Sequence, residues 1–388
     1  MAGLSKITFN INRDGLGRRI PNEDKVSGIV FFNDTPPTGW QTTNVQLVYT
    51  IGDAEQKGLT SDLTGSEIEH YHVSEFFRAN PNGELYIGYY DVPAATYDFL
   101  ELLDLQVQAA GRCRQIGIYS LATWSSASVT TLQAVIDTID LTGSRTVAIL
   151  ASNFSATVDW TSIEDLRALD AAKVSVVIGQ DGGAAGLALF TGATVSCLGN
   201  ALGTLSLSGV QQSIGYVKEF NVSNGTELEI PALANGDLVK EQTAALLAGL
   251  KDKGYLILRK YIPQLSGTYY ERQPGAVPAT DDFAWIENSR TMDKAIRGVE
   301  TVLTPELNRD LQLTSEGKLT PDVVGYFEDL CKGPLDAMES DREISASEVL
   351  IDPDQDIATT STLLITIKII PVGIAEFISV NIGFTVEL

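Results

Sequence analysis

Between about residue 101 and residue 180 the chain falls into a repeating order that leaves few folds open. A helical stretch, DFLELLDLQVQAA, leads to an apolar run, RQIGIYSL; VTTLQAVIDTI leads to RTVAILAS; SIEDLRALDAA leads to KVSVVIGQ. Near-continuous apolar runs between helical stretches predict strands buried on both faces and paired in parallel through right-handed crossovers. The predicted class is therefore α/β (α+β overall), with a parallel-strand layer as its core. Ahead of it lies a mixed segment with strands at KVSGIVFF, NVQLVYTI and ELYIGYY and a helix near SEIEHYHVSEFFRA. SIGYVKEFNV reads as a further strand after a Gly/Ser/Ala-rich stretch.

The second half is more helical. DLVKEQTAALLAGLKDKG predicts a helix with Asp237 as N-cap and Gly254 as its stop, feeding the strand YLILRKYI. ENSRTMDKAIRGVETVL places Met292, Ala295, Ile296, Val299, Val302 and Leu303 on one helical stripe, with Lys294 and Arg297 off it. TPDVVGYFEDLCKGPL carries Thr320 as N-cap and Pro321 in its first turn. EISASEVLID and TLLITIKII close the body as strands. The expected division is an N-terminal arm and linker (1–25), a mixed segment (26–100), an α/β domain (101–235), a C-terminal core (236–370) and a C-terminal arm (371–388).

Both ends alternate with period two. Ile378, Val380, Ile382, Phe384, Val386 and Leu388 are separated by small or polar residues, and Ile7, Phe9 and Ile11 repeat the pattern near the start. Each is a strand with one apolar face. Gly15 and Gly17 at one end, Pro371 and Gly373 at the other, set these strands off by linkers. Two readings stay open: the strands pair within a sheet of their own chain, or they add to the exposed sheet edge of a neighbour.

Composition narrows the function. Fifty acidic residues against 27 basic leave a formal charge of −23, a surface that repels phosphate backbones and argues against nucleic acid as a direct partner. No secretory leader and no apolar run of membrane-spanning length is visible, so no membrane insertion is expected. Cys113, Cys197 and Cys331 are widely spaced, as reduced buried thiols would be. Only IGQDGGAAG is glycine-rich among the turns after the strands, and it lacks the G-x-G-x-x-G and Gly-Lys-Ser/Thr patterns that cradle phosphates. His70 and His72, the two histidines, point to different faces of what reads as a surface helix, with no cysteine nearby in sequence. DPDQD sets Asp352, Asp354 and Asp356 at calcium-loop spacing, but Ile357 stands where the turn glycine belongs. No catalytic, metal or cofactor residue is assigned, and a non-enzymatic protein is expected.

From residue 235 onward, YLILRKYI, DDFAWIENSRTMDKAIRGVETVL and above all IIPVGIAEFISVNI resemble the contractile tail sheath proteins of phages and phage-like contractile injection systems. LSKITFNINRDGLGRR stands where that family has Pro-Gly-Val-Tyr, which marks a divergent branch. The resemblance implies a structural subunit in a virion tail or contractile particle, made in the bacterial cytoplasm. Such subunits form stacked hexameric rings around an inner tube and are capped by baseplate and terminator proteins. They assemble extended and metastable, then contract to drive the tube through a target envelope. The terminal strands would pair with neighbouring copies, the linkers at Gly15, Gly17, Pro371 and Gly373 would act as hinges, and Lys294 and Arg297 would be candidate contacts to the tube. Another tail part, a tube or baseplate protein, is the structural alternative; an α/β small-molecule enzyme is the alternative from another class.

Overall fold

A computed structural model of the chain describes residues 23–32, 35–62, 67–91, 97–154, 159–183 and 195–384. The first body is built from β1 (Val26–Phe32), β2 (Val45–Val48), α1 (Ile51–Gln56), α2 (Glu67–Ala79), β3 (Glu84–Tyr90), α3 (Glu101–Gln108), β4 (Gln115–Thr123), α4 (Ala127–Asp140), β5 (Val147–Asn153), β6 (Val174–Val177), β7 (Gly179–Asp181), α5 (Leu198–Leu207), β8 (Pro231–Leu233), α6 (Ala244–Asp252), β9 (Tyr255–Leu256), β10 (Leu258–Arg259) and β11 (Tyr269–Tyr270). Seven strands form one sheet in the order β2-β3-β1-β4-β5-β6-β9. All neighbours in it are parallel except the edge pair β2–β3.

The apolar runs predicted two-sided burial, and the strands divide their residues accordingly. Ala148 and Leu150 pack with Leu102, Leu132 and Ile136 of α3 and α4, whereas Val147 and Ile149 pack with Phe76, Leu198 and Leu202 of α2 and α5. Helices therefore cover both faces. The boundaries expected near residues 100 and 235 fall inside this sheet, because β1 lies between β3 and β4 and β9 extends the order beyond β6.

Three local expectations are corrected. SIEDLRALDAA forms no α-helix: two short 3-10 turns, Trp160–Ser162 and Leu166–Ala168, replace it. The side chains of Asp159 and Asp165 accept from the N–H groups of Thr161 and Arg167 at 2.8 and 2.9 Å, local bonds that compete with a continuing helix. SIGYVKEFNV forms turns and no strand, with Gly215 held against the backbone of Glu271 and Arg272. The helix at 244–252 is capped by Thr243, whose hydroxyl accepts from Leu246 N at 3.2 Å. Asp237 instead accepts from Trp160 Nε1 and Asn235 Nδ2. Gly254 does stop the helix, at φ +90°.

The second body follows: α7 (Ile286–Leu303), α8 (Pro321–Ser340), β12 (Ile344–Leu350), the one-turn α9 (Ile357–Thr360) and β13 (Thr366–Pro371). β12 and β13 form an antiparallel two-stranded sheet with Val349 opposite Ile367 and Ile344 opposite Pro371. One face of it closes a small core with Ala295, Cys331, Leu335 and Met338. Among the described residues no helix is long and apolar enough to cross a membrane.

Candidate functional site

The β12–β13 sheet is where the second body faces outward. Its inner face carries Ile367 and Ile369, which with Ile365 just ahead of β13 pack against the core of the second body, while Ile370 and the preceding Leu364 stand 60% and 65% exposed. A Lys368–Glu348 pair at 3.1 Å crosses the ladder on the outer face. Neither strand pairs with a third among the described residues, so this short sheet keeps free hydrogen-bonding edges. Beside it Met292, Ile296, Val299, Leu303, Ile367 and Ile369 line an apolar groove of about 300 Å³.

Pro371 is the last residue of β13, and its carbonyl still accepts from Ser345 Oγ at 3.0 Å. Beyond it residues 372–384 belong to no helix or strand. Ile378, Val380, Ile382 and Phe384 are 70% exposed or more. The strand read from their alternation has no ladder in its own chain among the described residues. Val386, with Ile7, Phe9, Ile11, Gly15 and Gly17 of the other end, lies outside the described residues. A Cβ at Gly373 would meet nothing within 4 Å.

Lys294 and Arg297 sit differently from their expected role as outward contacts. Lys294 Nζ is 2.8 Å from Asp24 and 2.6 Å from Glu343, and Arg297 is 2.6 Å from Asp24. Although burial opposes ionisation, the two cations hold the Asp24 carboxyl below its ordinary value. The same carboxylates hold Lys294 above its ordinary value against its own burial. In an acidic chain carboxylates close by in the fold take up these charges. One turn earlier Asp293 meets Lys173 at 2.7 Å, and Lys173 reaches Asp140 at 2.5 Å. The helix α7 is thereby tied to the first body along its length.

The histidines, the cysteines and the loop aspartates make contacts within the fold. His72 is fully buried, contrary to a surface placement of its helix: α5 covers it, and Nδ1 accepts from Gly199 N at 3.4 Å. Burial lowers its pKa to about 3, so the ring is neutral. His70 meets Glu55 at 3.0 Å. The described residues hold no cluster of three His, Cys, Asp or Glu side chains fit for a metal ion. All three cysteines are buried and free, and burial pushes the Cys113 and Cys197 thiols up to about 12, away from the reactive thiolate. Asp354 pairs with Lys318 at 2.9 Å, and Asp356 caps α9 by accepting from Thr359 N at 3.1 Å. In the glycine-rich turn a Cβ on Gly182 would stand 2.7 Å from Leu238 Cδ2.

Sequence reasoning missed Glu376 as a contact residue. Its carboxylate accepts from Lys251 Nζ at 2.5 Å and lies 3.5 Å from Arg272 Nη1. The signal available was one acidic residue inside an otherwise apolar run.

Two family models match the sequence, the DUF2586 N-terminal domain over residues 4–272 and the DUF2586 C-terminal domain over residues 282–388. No curated protein matches. The fold is shared with a chain of the six-fold symmetrised baseplate of the anti-feeding prophage, with TM-score 0.63 and 13% identity over 99% of this chain and 100% of that one. A chain of the contracted PVC sheath complex, from an extracellular contractile injection system, aligns with TM-score 0.59 and 12% identity over 100% and 99%. A chain of the anti-feeding prophage baseplate in its contracted state gives TM-score 0.58 and 12% identity, again over 100% and 99%.

Proposed function

We propose that this chain, which belongs to the DUF2586 family, is the sheath subunit of a contractile particle, a structural protein that polymerises as stacked hexameric rings around an inner tube. The observation that carries the reading is the pairing of a donor with an acceptor. Among the described residues, 378–384 carry alternating apolar side chains and belong to no ladder, and the β12–β13 sheet keeps free edges. A strand added to such an edge gains main-chain bonds for strength and alternate side chains for register. Ile7, Phe9 and Ile11 would supply the second donor. The likeness in fold to chains of contractile injection systems over the whole length supports the same reading.

In this mechanism the strands hold neighbouring copies together while the rings turn and widen, and the tube is driven out without a nucleotide. Lys294 and Arg297, bound within the chain, would serve the tube contact by fixing α7 rather than by reaching a partner. Baseplate and terminator proteins would bound the polymer. A baseplate component is the second reading, favoured by the baseplate structures among the similar ones.

Electron microscopy of the purified chain tests the proposal. Striated hollow tubes or stacked six-membered rings are the expected result. A single ring that does not stack supports the baseplate reading, and an assembly whose C-terminal strand pairs with its own body overturns strand donation.

A further inference from the structure

The C-terminal segment does not leave the body where its ladder ends. After Pro371 alternate residues remain partly covered: Val372, Ile374 and Glu376. From Phe377 to Phe384 every residue is exposed. The change falls at Glu376, whose carboxylate rests on two cations that other groups already hold in place. Lys251 on α6 also meets Glu271 at 3.1 Å. Arg272 donates to Glu287 at 2.6 Å and stacks over Trp285 at 4.2 Å. The receptor for Glu376 is therefore preformed, and it lies on the first body, across from the β12–β13 sheet that launches the segment. Although burial opposes it, the hydrogen bond from Lys251 to Glu376 and the charge of Glu271 hold the ammonium above its ordinary value. The Phe377 ring, 85% exposed, lies 5.5 Å from Lys251 Nζ at the mouth of a cavity of about 660 Å³ floored by Ile230, Leu247 and Ile257.

We propose that Glu376 is a releasable anchor that fixes the point at which the C-terminal strand departs from its own subunit. The proposal rests on the strand-donation reading above and deepens it. While the anchor holds, the strand pivots beyond Glu376, and Pro371 and Gly373 belong to a strap fixed at both ends. When it opens, residues 372–376 join the free segment and lengthen its reach by roughly 17 Å, at about 3.3 Å per extended residue. A sheath whose rings shift against one another needs such a reserve of length, and a single half-buried ion pair opens without unfolding either body.

Chymotryptic cleavage of the unassembled full-length chain tests this, because a protease must draw several extended residues into its cleft. Cleavage after Phe377 requires Glu376 to let go, whereas Phe384 lies in the exposed segment and serves as the internal standard. A synthetic peptide of residues 370–388 sets the intrinsic ratio of the two sites. Relative to that peptide, the wild-type chain is expected to be cut after Phe377 roughly tenfold more slowly than after Phe384. Lys251→Met, which leaves the cleaved sequence intact, and Glu376→Gln are expected to restore the peptide's ratio, with both variants still folded by circular dichroism. Added salt is expected to act in the same direction. A wild-type ratio equal to the peptide's, or a ratio that neither variant changes, overturns the anchor. Both outcomes are read without assembly, so failure of strand donation in the microscope leaves this result standing, and the reverse.

Discussion

His72 shows how one buried ring couples the fold to pH. It stacks on Phe31 at 6.2 Å between centroids, meets the tilted ring of Tyr119 at 4.9 Å, and is fully enclosed. Its folded pKa of about 3 lies below the ordinary 6.5. Above pH 6.5 both folded and unfolded chains keep the ring neutral, and its contribution to stability is complete. Below that value the unfolded chain takes a proton that the folded chain refuses, so stability is lost down to about pH 3, by an amount on the order of 4 kcal/mol. His72→Gln keeps an acceptor for the Gly199 N–H and removes the titration. Denaturant unfolding across pH 3–7 is expected to show a shallower loss for the variant, by up to one proton per molecule; parallel curves would refute the assignment. Sequence spacing could tell that His70 and His72 face different ways. It could not tell that a glycine-bearing helix 127 positions away would cover the second of them.

At the scale of elements, that covering helix is the instructive miss. LGNALGTLSL lies in a stretch too rich in Gly, Ser and Ala to show a helical stripe, yet α5 is buried almost throughout. Its composition is what the packing demands: a Cβ on Gly199 would stand 1.9 Å from the His72 carbonyl oxygen, and one on Gly203 2.5 Å from that of Phe76. Only glycine lets two helix backbones approach so closely. Gly199→Ala is expected to destabilise the chain by about 3 kcal/mol, read as a lower denaturant midpoint. Gly325→Ala in α8, where a Cβ meets nothing within 4 Å, is expected to raise it by about 0.5–1 kcal/mol. An equal response at the two sites would mean that α5 sits farther from α2 than described. The parallel strands were legible because their apolar runs are long and contiguous. The failed helix at 162–172 and the failed strand at 213–222 were not, since aspartate caps and glycine packing decide them through bonds that periodicity does not report. The stripe on α7 was read correctly, but its cations were placed outside because their carboxylates come from Asp24 and Glu343, far away in sequence. Asp24→Ala removes the carboxylate that both half-buried cations share, leaving Glu343 to Lys294 alone, and is expected to cost about 3 kcal/mol in thermal or denaturant unfolding. A loss below 0.5 kcal/mol would show the cluster to be solvated.

For the whole molecule the question is what the exposed end contributes to the subunit that carries it. Phe377, Ile378, Val380, Ile382 and Phe384 are all at least 70% exposed. Burial of each such side chain contributes roughly 1.5–3 kcal/mol, while ordering each residue costs about 1–2 kcal/mol. Left in water, the segment gives its own subunit none of that stabilisation. Against a neighbour's sheet edge the apolar burial and a row of ladder bonds can exceed the ordering cost, by a modest margin repeated at every copy. Deleting residues 378–388 is therefore expected to leave the thermal midpoint within about 1 °C of the full chain, because the described part, 378–384, is exposed throughout. The same deletion is expected to abolish ring stacking in electron microscopy while Glu376 keeps its place on Lys251. A drop of several degrees would mean that the segment packs on its own body, and tubes formed without it would mean that other surfaces hold the copies together. The two readouts separate a strand that completes the fold from one that completes its neighbour, which is the distinction between a self-contained protein and a link in a polymer.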